Sequence, residues 1–185
     1  MKNSTSTPLA RPTPSPALDG IEHINVHYTF STTKLGKMLS TYFVAKFTHP
    51  YLGQFKCIEG LMLYLRTGCQ DEAFREMTGS EAMSYYRNKR RWQQLSNHDI
   101  PREADVFFDA YYARLSQYPV AAVLFNESTL PFDVYYLIGE RRDKPIRPRE
   151  SMALVDALTR LRELMKRGET PTLLSQAFYE QLRKT

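Results

Sequence analysis

Apolar residues recur at helical spacing through most of this chain. Ile58, Leu61, Met62 and Leu65 form one stripe between Cys57 and Arg66, and Gly68 is a fitting stop. Phe107, Ala110, Tyr111 and Leu115 line a second, ending near Tyr118. Leu154, Leu158, Leu161 and Met165 make a third, closed by Gly168. A stripe of this kind must be buried against another element, so three of them call for helices stacked over one core. Punctuation between the stripes predicts further helices. Asp71 to Met77 reads as a short one. Thr78 with Glu81 is a capping box opening a helix toward Trp92, and Asp99 ahead of Pro101 marks another start. Pro119 starts a helix through Val120, Val123 and Leu124, and Pro171 starts a last one with Leu174, Ala177 and Phe178.

Strand-like alternation is brief. Ile24, Val26, Tyr28 and Phe30 share one side, with His23, Asn25, His27 and Thr29 on the other. Residues 39–48 read as a second short strand, His49 to Gly53 as a turn, and Gln54 to Lys56 as a return strand. Leu130 to Ile138 reads as a loop entering a short strand. The expected fold class is therefore α+β, predominantly α-helical, with a few short strands in one domain over residues 21–185. Residues 1–20 are rich in Ser, Thr and Pro, cannot bury enough apolar surface to offset chain entropy, and read as a disordered tail.

Composition removes several classes. The apolar runs are too short for a transmembrane helix, and the N-terminal stretch lacks the apolar core of a secretory leader, so no membrane partner is expected. Cys57 and Cys69 make neither a disulfide framework nor a zinc site, and a reducing cytoplasm is the expected compartment. The 25 Lys and Arg against 20 acidic residues leave a net charge of +5, a mild bias toward anionic partners. Neither Walker, Rossmann nor G-x-S-x-G patterns occur, and the four histidines form no ligand-like constellation, so no metal or cofactor is expected.

A few side chains stand out against this background. Glu59 borders the apolar stripe of its helix, with Met62 and Leu63 three and four positions on. A half-buried carboxylate there needs a cation, a hydrogen bond or a shifted pKa, and Arg66, two turns along, is a candidate partner. An ordinary Glu–Arg helix pair explains the same pattern. Asp133 is a lone charge among Phe132, Val134, Tyr135 and Tyr136; it reads as a turn-forming Asp or as a functional one. Trp92, the single tryptophan, follows Tyr85, Tyr86, Arg87, Lys89, Arg90 and Arg91. That mixture suits phosphate contact with base stacking, or a core indole beside a solvated basic helix end. A second basic cluster, Arg141, Arg142, Lys144, Arg147 and Arg149, is spaced by Pro145 and Pro148.

Taken in order, these features resemble the NADAR family, named for its links to NAD and ADP-ribose. The resemblance runs from about Tyr28 to Leu164. Leu39 to Phe43 resembles the family's early Ser-Asn-Phe strand, with Thr41 where Asn is usual. Gln54 to Glu59 resembles the turn into the helix whose Glu is catalytic; Gly60 stands where His often follows, and Arg66 where Lys is common. Arg91-Trp92 resembles the family's Trp after a basic stretch. Ala113 to Pro119 resembles its helix-end pattern of a basic residue, Gln and Pro. Phe132 to Tyr136 resembles its Asp before an aromatic pair, with Tyr136 in place of Trp. Of the Gly-rich loop that follows in the family, Gly139 remains.

The resemblance implies a hydrolase of C–N glycosidic bonds. Two substrate classes go with it: ADP-ribose attached to guanine in DNA, and a phosphorylated ribosyl intermediate of the riboflavin pathway. Charge developing on the sugar calls for a carboxylate near the anomeric carbon, and a second carboxylate can activate water. Glu59 and Asp133 are the expected catalytic pair. Trp92 or Tyr136 would stack on the base, and Arg66, Arg91, Arg141 or Arg142 would bind phosphate. The two basic clusters favour ADP-ribosylated DNA over a phosphorylated small molecule. A non-catalytic module that recognises ADP-ribose or nucleic acid is the competing class.

Overall fold

The structure, a computed structural model, describes residues 14–92, 94–95, 97–139, 144–148 and 151–183. Among these, seven α-helices and six short strands form a predominantly helical α+β domain, as the apolar periodicity predicts. In chain order they are β1 (Ile24–Asn25), α1 (Lys34–Leu39), β2 (Phe47–His49), β3 (Gly53–Phe55), α2 (Ile58–Arg66) and α3 (Gly79–Arg91). Then follow α4 (Glu103–Gln117), α5 (Pro119–Glu127), β4 (Phe132–Asp133), β5 (Tyr136–Ile138), β6 (Lys144–Ile146), α6 (Ser151–Arg167) and α7 (Gln176–Leu182). No helix of the described residues is long and apolar enough to cross a membrane.

The three predicted stripes are the centre of the core. Leu61 and Leu65 of α2, Phe107 and Tyr111 of α4, and Leu158 and Leu161 of α6 are all buried, with α4 and α6 packed together and α3 against α2. The strands occur only as pairs. β1 lies parallel to β4, β2 and β3 form the expected hairpin across Pro50, Tyr51 and Leu52, and β5 pairs antiparallel with β6.

Side chains complete what these short ladders leave open. The Asn25 carboxamide accepts from the Tyr135 N–H at 3.1 Å and donates to its carbonyl at 3.2 Å, which extends the β1–β4 pairing by one residue. Gln117 does the same for Thr48 of β2, at 2.9 Å in each direction. Arg114 is buried in α4 and donates to the carbonyls of Leu39 and Ser40, both at 3.1 Å, where α1 ends. These carbonyls lie at the helix C-terminus, where the dipole leaves partial negative charge, so they compensate the buried cation.

The structure differs from the sequence reading in several places. Residues 34–39 are a helix that the alternating pattern does not announce, and the strand expected over 39–48 shrinks to Phe47–His49. The strand expected from Ile24 stops at Asn25. Helix α4 begins at Glu103, because Arg102 takes a left-handed conformation (φ 54°) that separates Asp99 and Pro101 from it. Helix α7 begins at Gln176, capped by Ser175, five residues after Pro171. Of the tail expected over residues 1–20, residues 1–13 lie outside the described residues; at its end the buried Asp19 carboxylate accepts from the N–H groups of Asn25 and Thr32.

Candidate active site

A cavity of about 540 Å³ opens between α2, α3, α4 and the start of α6. Glu59 lies on its wall, in the first turn of α2. The loop after α1 holds it by both backbone and side chain. Its N–H donates to the Thr41 carbonyl at 2.9 Å, and its Oε2 accepts from the Thr41 hydroxyl at 2.7 Å. Arg114 fixes that loop from beneath through Ser40. The carboxylate is half-buried, as the boundary position on the helix predicts.

Cations flank it. Arg66 lies two turns along α2 on the cavity wall and donates to Glu103 at 2.7 Å, which ties α2 to the start of α4. Arg87 stands at the more exposed mouth, one turn beyond Met83 on α3. Tyr42 lines the same cavity, and its phenol is pushed well above its usual range by burial; the charge of Glu59 adds to the rise and Arg87 opposes it. Tyr42 therefore stays protonated and serves as a donor. His27 also lines the cavity. Burial lowers its pKa, and its Nδ1 accepts from the N–H groups of Thr29 and Phe30 at 3.2 and 3.3 Å. A neutral ring used this way carries its proton on Nε2, a second donor. Val26, Met62, Phe107, Val134 and Leu154 supply apolar wall.

Three of the six described site residues expected from the sequence, Glu59, Arg66 and Tyr136, line this cavity. Asp133 does not. Its carboxylate takes a bidentate pair from Arg147, at 3.0 and 2.6 Å, and accepts from the Val134 N–H at 2.8 Å. Parity explains the placement: Val134 and Tyr136 face the cavity, so Asp133 and Tyr135 face away, the latter with its phenol against His23. The expected second catalytic carboxylate is thus a strut between β4 and the segment after β6. Trp92 is 69% exposed at the C-terminal end of α3, with the Arg91 guanidinium 5.8 Å from its ring, and neither lines the cavity. At about 100° per residue, Trp92 is rotated by roughly 140° from Arg87 around the helix. Arg91 shares Arg87's side but lies one turn beyond the mouth. Arg141 and Arg142 lie outside the described residues.

Arg87, Tyr42, His27 and Thr41 are among the cavity residues that the sequence reading did not assign to the site. Arg87 carried a usable signal: within a run of basic residues it is the one four positions after an inward-facing Met. The Cys57 thiol, which caps α2 by accepting from the Gly60 N–H at 3.4 Å, is fully buried and pushed up to about 11 by desolvation, so it is no nucleophile. No family model matches the chain, and neither a curated protein nor a solved structure does.

Proposed function

We propose that this chain is an N-glycosidase that uses Glu59 to hydrolyse a C–N bond at a ribose, with ADP-ribose on guanine of DNA as its substrate. The observation that carries the reading is a carboxylate held by Thr41 on the wall of a nucleotide-sized cavity that also has two arginines. Glu59 is the one acidic residue on that wall among the described residues. As the C–N bond lengthens, positive charge grows on the ribose, and a carboxylate in a partly desolvated site stabilises it. Glu59 then takes a proton from the attacking water. The water oxygen bonds to the anomeric carbon, the bonding pair leaves with the base nitrogen, and the proton follows it. Tyr136 stacks on the base, Tyr42 and His27 donate to the sugar or base, and Arg66 and Arg87 take the phosphates. Asp133 holds the wall through Arg147 and does no chemistry.

The resemblance to the NADAR family supports the same chemistry. A second reading, hydrolysis of a phosphorylated ribosyl intermediate of the riboflavin pathway, is favoured by the cavity's own size and by two arginines sufficing for one phosphate. Both are tested by incubating the protein with ADP-ribosyl-guanine oligonucleotide and, separately, with those intermediates. Release of free ADP-ribose from the oligonucleotide is the expected result. Release of ribose phosphate from the small molecule alone would move the assignment to the second reading, and no release from either would leave a binding module.

A further inference from the structure

A second concavity, about 470 Å³, adjoins the cavity through two pairs of consecutive residues. His27 and Tyr42 line the cavity; Tyr28 and Phe43 line this groove. Its floor is a file of three aromatic rings. Tyr28 and Phe43 have centroids 6.4 Å apart, and Phe43 and Tyr118 are 6.0 Å apart. Tyr28 is 53% exposed, so a ring face is open to a ligand rather than consumed by the core. Lys34 and Lys37 of α1, both exposed, line the groove, and no Asp or Glu is among its described lining residues.

We infer that this groove binds the unpaired nucleotides of single-stranded DNA next to the residue processed in the cavity. Rings in a row, tilted 47° and 30° to one another and flanked by cations without a competing carboxylate, complement a polyanion whose monomers each carry a flat face. An acidic peptide would use the lysines and leave the rings idle. A duplex keeps its base faces covered and gains only the lysines. The strand enters the groove over Tyr118 and Phe43 and passes Tyr28 toward His27. This inference rests on the glycosidase reading for the identity of the polymer, but its contacts are made by unmodified nucleotides.

The test is an anisotropy titration of the full chain with labelled oligothymidylate of about 12 nucleotides, over a range of salt concentrations. The wild type is expected to bind. Tyr28→Ala weakens binding at least about fivefold through the lost stacking. Lys34→Gln with Lys37→Gln lowers the log–log salt slope by about 1.4, two phosphates at about 0.7 each. Both changes lie on the surface, so folding is checked simply by an unchanged melting temperature. Absence of binding by the wild type, an equal affinity for blunt duplex, or variants with wild-type affinity and slope would each overturn the inference. No ADP-ribose and no turnover enter the measurement. A failed glycosidase assay therefore leaves this result standing, and a failed titration leaves the Glu59 chemistry untouched.

Discussion

Thr41 grips Glu59 twice, through its carbonyl and its hydroxyl, so one loop residue contributes to the orientation of the carboxylate. Thr41→Val keeps the shape and deletes the hydroxyl. Turnover is expected to fall about tenfold with the melting temperature unchanged, as a charge-assisted hydrogen bond is worth about 1.5 kcal/mol or more; steady-state kinetics on the oligonucleotide checks it. Gly60, next in the chain, has a different constraint. A β-carbon there would stand 2.4 Å from the Phe74 carbonyl oxygen, so no side chain, histidine included, fits this backbone. Gly60→Ala is expected to lower stability by about 1–3 kcal/mol in urea unfolding, by the strain of overpacking. The sequence made Glu59 legible because burial on a helix follows from spacing. It marked Asp133 as anomalous but could not show its partner, Arg147, because that contact is made only when the segment after β6 folds back.

At the scale of elements, the long helices were legible and the short ones were not, and the reason is where each gets its stability. α2, α4 and α6 carry their own apolar stripes. α1 has six residues, one of them Gly36, which is too few to persist alone. It exists because Thr33 caps its start and because Arg114 and Tyr111 from α4 bond to the Leu39 carbonyl at its end. The Arg, Gln and Pro of residues 114–119 thus have a structural account. Arg114 ends α1, Gln117 pairs with β2, and Pro119 opens α5. Arg114→Met, which fills the volume without the donors, removes one bond to each carbonyl and leaves Ser40 with the Phe43 N–H and Leu39 with the Tyr111 hydroxyl. It is expected to cost about 2–4 kcal/mol in denaturant unfolding, because two hydrogen bonds from a charged donor, worth about 1.5–3 kcal/mol each, are lost and the relieved desolvation of the cation offsets part of that. The same helix-end logic hid the true start of α7. Leu174 reads as helical by spacing, but its N–H donates to the Asp109 carboxylate at 3.0 Å, which holds the chain extended before the helix begins.

At the scale of the molecule, Asp109 and His49 meet around one ring. Asp109 accepts from the Tyr179 hydroxyl at 2.8 Å, and the His49 ring packs edge-on against Tyr179 with centroids 4.7 Å apart. Burial pushes Asp109 up to about 6 and His49 down to about 4. For Asp109 the folded state binds more protons between about 4 and 6, so its contribution is full at low pH and is lost as pH rises through 6. For His49 the unfolded state binds more protons between about 4 and 6.5, so its contribution is full at neutral pH and is lost as pH falls through 4. The two slopes oppose each other in nearly the same window. Asp109→Asn, whose carboxamide oxygen can still accept both bonds, is expected to make stability rise more steeply with pH from 4 to 6.5 than in the wild type. Melting temperatures across that range check it; parallel profiles would contradict it. The proposed reaction depends on the packing of α2 against α3, which brings Glu59, Arg66 and Arg87 to one cavity. The most direct measurement of that claim is the rate of ADP-ribose release from ADP-ribosyl-guanine DNA by Glu59→Gln beside the wild type. A fall of about a hundredfold or more, with the melting temperature unchanged, is the predicted result. Wild-type turnover by the glutamine variant would contradict it and remove Glu59 from the chemistry.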